Sequence, residues 1–331
     1  MSTVVPLVWA RRIRRAAEIA GLVTGGTLLS AFGLAYFVAR VLTGPRRPRP
    51  TDEYIMTPFE TGTDFEEVVF ASETGDHSIQ GWWFPRPESR EVIVGCTGYR
   101  GTKAELVGIG AAFWRAGFNV LLFDYYGHGA DRGAPVTLAY REVRDFFGAL
   151  DYVEQRVPQA KIGVIGYSMG AAVAIMGSAR RQNVRAVVAD SAFATHMDVV
   201  SYNVARVIRV SGRPIAALSD IFLERLAGYR GADVAPERDV AAIAPRPLLI
   251  IHGTADDMIP VSHATRIYAA AREPKEIWLA EGAGHCGTYF LDRQAYCDRV
   301  VAFFRRAFER DTADSQAALE RSEQLPSEHS A

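Results

Sequence analysis

From Glu91 onward, short apolar runs alternate with longer stretches in which apolar residues recur every three or four positions. The runs Glu91–Cys96, Asn119–Phe123, Lys161–Gly166, Val184–Ala189, Pro247–Ile251 and Glu276–Leu279 read as buried strands. The stretches Thr102–Ala116, Leu138–Val157, the small-residue segment ending at Arg180, His263–Arg272 and Tyr289–Arg310 read as helices. Such alternation predicts an α/β fold: a mostly parallel sheet with helices on both faces. Phe65–Ala71 and Ser78–Phe84, joined by a turn at Gly75-Asp76, predict an antiparallel edge to that sheet. Residues 191–245 leave the alternation. Helical pieces at Val200–Val210 and Ile215–Leu226, broken by Gly212-Arg213-Pro214, predict a short lid over the carboxyl ends of the strands.

The amino-terminal pattern differs. Ile19–Ala39 runs uncharged for 21 positions, and a helix of that length, at about 1.5 Å per residue, spans a hydrocarbon core of about 30 Å. The run exceeds the apolar stretch of a signal peptide. It is therefore expected to be a single transmembrane helix preceded by a basic segment, residues 1–18. Arg11, Arg12, Arg14 and Arg15 on one side balance Arg40, Arg46, Arg47 and Arg49 on the other, so charge does not orient the span. Residues 40–63, with Pro45, Pro48, Pro50 and Pro58, are expected to be an extended tether. The polar, acidic residues 311–331 are expected to be disordered.

The 331 residues carry 37 Lys plus Arg against 38 Asp plus Glu, a balance that offers no general attraction to nucleic acid. Cys96, Cys286 and Cys297 show neither metal-ligand spacing nor a disulfide framework.

Candidate chemistry centres on Gly166-Tyr167-Ser168-Met169-Gly170, a Gly-x-Ser-x-Gly pattern where a strand turns abruptly into a helix. In a nucleophile elbow the turn is so tight that the positions flanking the serine must be nearly bare, and Gly166 and Gly170 meet that need. Serine is also a common helix N-cap, so the motif requires partners. A serine hydroxyl becomes a nucleophile only beside a histidine base oriented by a carboxylate, with N–H donors for the oxyanion. This chemistry calls for no metal or organic cofactor.

The apolar strand before His252-Gly253-Thr254-Ala255-Asp256-Asp257 brings a carboxylate to the same end of the sheet. Asp256 is the preferred acid, while Asp257 suits a turn-capping role and His252 a loop brace. After the next strand, Gly284-His285 provides the preferred base. His77, His128, His196, His263 and His329 lie in weaker contexts: a hairpin turn, a glycine loop, the lid, a helix and the tail. The chain order Ser168, Asp256, His285 is that of the α/β-hydrolase triad. Oxyanion donors are expected at the N–H of Met169 and, by position in the loop Cys96-Thr97-Gly98-Tyr99-Arg100-Gly101, at that of Tyr99.

With these motifs, and with Asp124-Tyr125-Tyr126-Gly127-His128-Gly129, residues 64–310 resemble the α/β-hydrolase superfamily, most of all its bacterial serine aminopeptidase-like and lysophospholipase-like branch. Several such relatives carry an N-terminal membrane segment. Relatives usually have His-Gly at the oxyanion loop, where this chain has Thr97-Gly98. The resemblance implies acyl hydrolysis. The expected function is a membrane-anchored serine esterase acting on a small-molecule or lipid-like acyl substrate, with peptidase or thioesterase chemistry on the same triad as the enzymatic alternative. A noncatalytic binding protein that kept the fold is the alternative of another class.

Overall fold

A computed structural model of the protein describes residues 29–45, 56–129 and 134–323, with side chains described as far as residue 313. Its centre is an eight-stranded sheet in the order β1-β2-β4-β3-β5-β6-β7-β8. The strands are β1 (Glu66–Ala71), β2 (Ser78–Phe84), β3 (Glu91–Cys96), β4 (Asn119–Phe123), β5 (Lys161–Tyr167), β6 (Val184–Asp190), β7 (Leu248–Gly253) and β8 (Lys275–Ala280). The pairs β1–β2 and β2–β4 are antiparallel, and β3 through β8 pair in parallel.

A parallel sheet must be covered on both faces, and successive residues of one strand serve opposite sides. In β5, Ile162 and Val164 enter one core with Phe146 and Val173, whereas Ile165 and Tyr167 enter the other with Phe113 and Phe304. Gly163 leaves room for Phe304, since a Cβ there would lie 2.7 Å from its ring. Helices α3 (Glu142–Arg156) and α4 (Met169–Arg180) supply the first cover. Helices α2 (Val107–Arg115) and α10 (Arg293–Glu323) supply the second. The break between α9 (Thr288–Leu291) and α10 falls at Asp292, whose carboxylate accepts the Ala295 N–H (3.0 Å) and starts the new helix. Two further helices, α7 (Pro236–Asp239) and α8 (Ser262–Ala270), flank β7 in sequence.

The segment expected to form a lid holds α5 (His196–Ile208) and α6 (Arg213–Ala227), with the turn at Gly212. A Cβ on Gly212 would lie 2.0 Å from the Ser201 carbonyl oxygen, so the close return of the chain requires glycine. Thr195 caps α5 by accepting the Asp198 N–H (3.2 Å).

The expected N-terminal span falls only partly on the described residues. Of the run Ile19–Ala39, residues 19–28 lie outside the described residues, as does the basic segment before them. The remainder belongs to helix α1, residues 29–43, which buries Ala35 and Ala39 completely and sets Phe32 and Tyr36 edge-on to Phe222 of α6. Among the described residues, no helix is long and apolar enough to cross a membrane. Helix α1 continues into the expected tether because small residues spaced four apart give it a face that fits the domain. At the other terminus, α10 extends through residues 311–323, expected to be disordered; the Ala, Gln, Glu and Arg there are strong helix formers. Residues 324–331 lie outside the described residues.

Candidate active site

The site lies at the carboxyl ends of β5, β6, β7 and β8. Ser168 joins β5 to α4 with φ of 54°, a left-handed conformation that costs a non-glycine residue about 1–3 kcal/mol. The surroundings hold it there. Ser168 N–H donates to the Asp190 carbonyl (2.8 Å), tying the elbow to β6. A Cβ on Gly166 would lie 2.2 Å from the Gly170 oxygen, and one on Gly170 would lie 2.2 Å from the Cys96 oxygen and 2.4 Å from that of Thr97. The two glycines thus let the elbow close and the loop after β3 lie directly over the start of α4.

The loops after β7 and β8 interlock in the same manner. A Cβ on Gly253 would lie 2.2 Å from the Ala283 oxygen, while Ala255 N–H donates to that oxygen (2.9 Å) and Gly282 N–H to Thr254 Oγ1 (2.9 Å). This packing brings His285 between the two other candidates. Its Nε2 lies 2.9 Å from Ser168 Oγ and its Nδ1 2.7 Å from Asp256 Oδ2. With the carboxylate accepting at Nδ1, the ring carries its proton there and leaves Nε2 free to accept the serine hydroxyl.

The Asp256 side chain is buried, and burial by itself raises its pKa. Hydrogen bonds from His285 and from the Ile259 (2.8 Å) and Met258 (2.9 Å) amides more than offset this and hold the carboxyl below its ordinary value. It stays ionised at neutral pH and so can stabilise an imidazolium. Asp257 points elsewhere: it is exposed and pairs with Arg206 of α5 (2.6 Å). His252 is buried, its Nε2 2.8 Å from the Ile259 carbonyl and 3.4 Å from Asp256 Oδ2. Burial pushes its pKa down, and as a neutral ring it braces the loop that carries Asp256.

The other histidines stay out of this arrangement: His77 pairs with Asp145 (2.7 Å), His196 lies near Tyr229 (3.3 Å) and His263 accepts the Ala194 N–H (2.9 Å). His128 sits with its Nδ1 3.2 Å from the Tyr126 carbonyl, and His329 is outside the described residues.

Met169 opens α4, so its N–H is one of the helix's first amides, which have no acceptor within the helix. Gly98 lies beside Ser168, where a Cβ on it would make ordinary contact with Ser168 Cβ at 3.6 Å, and Tyr99 lines the site next to it. The loop has no histidine to brace it. Lys103 ties its far end to Asp124, giving its backbone N–H to Oδ1 (2.6 Å) and its ammonium to Oδ2 (2.6 Å). Tyr99 and Arg100 tie the near end to α1, Tyr99 Oη donating to the Leu42 carbonyl (2.9 Å) and Arg100 Nη2 to that of Val41 (2.7 Å).

Asp190 and Ser191 carry a second network that local sequence patterns do not reveal. The buried Asp190 carboxylate accepts from Tyr296 Oη (2.9 Å) and from Ser191 Oγ (2.9 Å). Ser191 Oγ in turn accepts the N–H of Cys286, the residue after His285 (3.1 Å). Burial pushes the Asp190 pKa up to about 6. A polar pair ending the apolar run of β6 was the only available signal.

Two cavities meet at Ser168 and His285. One, of about 340 Å³, runs beneath α1 and α5. The other, of about 430 Å³, is lined by Glu105, Tyr167 and Tyr289 among others.

Comparison with known proteins agrees with this architecture. Residues 87–227 match the family model described as serine aminopeptidase, S33. The chain is 30% identical over 253 residues to the protein YfhR of Escherichia coli O157:H7, covering 73% of this chain and 81% of that one. It is 27% identical over 249 residues to YqkD of Bacillus subtilis, covering 74% and 81% respectively. Among solved structures, the Pyrococcus furiosus esterase Pf2001 superposes with a TM-score of 0.66 at 23% identity, over 80% of this chain and 98% of that one. With the elbow at the end of β5, the predominantly parallel sheet and relatives matched over most of their length, the chain belongs to the α/β-hydrolase superfamily.

Proposed function

We propose that the protein is a serine hydrolase of carboxylic esters that works through an acyl-enzyme. Ser168 Oγ attacks the ester carbonyl as its proton passes to His285 Nε2, and Asp256 stabilises the imidazolium. The negative charge developing on the carbonyl oxygen is received by the Tyr99 and Met169 amides. His285 then gives its proton to the departing alcohol. Water attacks the acyl-serine by the same route in reverse, releasing the acid and restoring the hydroxyl. The observation that carries this reading is the histidine bridging serine and carboxylate at 2.9 and 2.7 Å, with the serine on a strained elbow.

The family description, serine aminopeptidase, favours amides as a second reading. The esterase title of the Pyrococcus furiosus neighbour and the apolar cavity beside Ser168 favour esters. Attachment to a membrane through the N-terminal segment is part of the same proposal. It is supported by the uncharged residues 19–28 and by Leu29 and Phe37 of α1, which are 77% and 63% exposed.

Labelling by a fluorophosphonate, which phosphonylates an activated serine as fluoride leaves, tests the proposal. Wild-type protein is expected to label, and Ser168→Ala and His285→Ala to lose labelling while remaining folded. Absence of labelling in folded wild-type protein would refute the hydrolase reading and leave a binding protein.

A further inference from the structure

Helix α1 precedes the residues that match the family model and yet borders the reactive serine. Leu34, Phe37, Val38, Val41 and Leu42 form one wall of the 340 Å³ cavity, and Val200, Val204 and Ile208 of α5 face the same space. Among the described residues, the polar ones lining it are Tyr99, Asn203, Ser168 and His285, and no Asp, Glu, Lys or Arg lines it. A charged or strongly hydrated group entering it would lose water without gaining partners, so the cavity selects an uncharged aliphatic group.

The helix is bolted in place from the catalytic side. Its last carbonyls have no acceptor role within the helix. Tyr99 Oη donates to Val41 (3.1 Å) and Leu42 (2.9 Å), while Arg100 Nη2 donates to Val41 (2.7 Å) and Gly44 (2.8 Å). A guanidinium at the negative end of a helix dipole adds to the attraction. The same short loop thus approaches the nucleophile with Gly98 and grips α1 with the next two side chains. The other cavity, with Glu105 and Tyr289, is the more polar of the two and suits the departing alcohol.

We propose that α1 is a substrate-binding element of the active site, with Leu34, Val38 and Leu42 forming the wall against which an unbranched aliphatic acyl chain lies. A methylene is about the size of a water molecule, whose share of the liquid is about 30 Å³, so the cavity holds about ten carbons. The assignment of this chain to the acyl side rests on the ester-hydrolase reading; the existence of an aliphatic site walled by α1 does not.

The test is a series of p-nitrophenyl esters of increasing acyl length, run beside a series of acetates with increasing alcohol length. For the wild type, kcat/KM is expected to rise about fourfold per added acyl methylene until the cavity fills near ten carbons. In Val38→Trp the acyl-length optimum should fall by several carbons, so that kcat/KM drops far more for long-chain esters than for acetates in a protein that fluorophosphonate still labels. Leu29→Trp, at an exposed position of α1 outside the cavity, should leave the profile unchanged. Decanoate binding to the Ser168→Ala protein, read by calorimetry, reports on the site without turnover and should weaken at least tenfold when Val38→Trp is added. An unchanged acyl profile and unchanged decanoate binding in a labelled Val38→Trp enzyme would overturn the proposal, as would a shift confined to the alcohol series. Loss of decanoate binding in Val38→Trp, with no labelling of the wild type, would sink the hydrolase reading and leave the aliphatic site standing.

Discussion

Replacing Asp190 by Asn offers a measurement whose sign and size follow from the structure. The carboxyl is fully buried between Tyr296 and Ser191, and burial raises its pKa from an ordinary 3.8 to about 6. The raised value means that the folded state holds its proton more tightly than the unfolded chain does. Its contribution is fully present below the unfolded pKa of 3.8 and is lost as pH rises through about 6. The whole shift corresponds to about 3 kcal/mol at about 1.4 kcal/mol per unit, of which about 2 kcal/mol falls between about pH 4.5 and pH 7.5. Asparagine removes the titration and keeps a polar group there, since both neighbouring hydroxyls can donate or accept. Urea unfolding of wild type and Asp190→Asn at those two pH values isolates the effect, because every other titrating group, including the buried Glu142, is common to both proteins. The stability of Asp190→Asn relative to wild type should therefore improve by about 2 kcal/mol from the lower pH to the higher. A difference that stays constant, or that changes with the opposite sign, would falsify the argument that the Asp190 carboxylate is held at a desolvation cost.

Two other outcomes are expected. Asp256→Asn should lower kcat about 10⁴-fold, because the amide no longer holds the tautomer of His285 that accepts the serine proton; a loss below tenfold in steady-state assays would remove Asp256 from the mechanism. Full-length protein should partition with the membrane fraction, whereas quantitative recovery in a detergent-free soluble fraction would refute attachment through the N-terminal segment.

The elements easiest to read from the sequence are those whose pattern is local. β5 is a short run buried on both faces, and Gly166, Ser168 and Gly170 turn it within five residues, so hydropathy and spacing suffice to place the elbow. Asp256 and His285 are legible for the same reason, since each follows closely on the carboxyl end of a strand. Asp256 and Asp257 are harder to tell apart. Two adjacent carboxylates look alike in sequence, and they differ only because the Met258 and Ile259 amides turn one inward while Arg206 holds the other at the surface.

Alternation of apolar strands and amphipathic helices by itself determined the α/β architecture, the antiparallel edge and the order of the candidate residues, because each depends on side-chain period and chain direction. The placement of α1 was decided by tertiary structure alone. The uncharged run that ends at Ala39 fits a bilayer or an apolar protein groove equally well by composition, and the groove here is assembled from α5, α6 and the loop after β3, far along the chain. The Asp190–Ser191–Cys286 connection is equally nonlocal: it links the end of β6 to the loop after β8, and only the folded sheet, with β7 between them, brings those ends together.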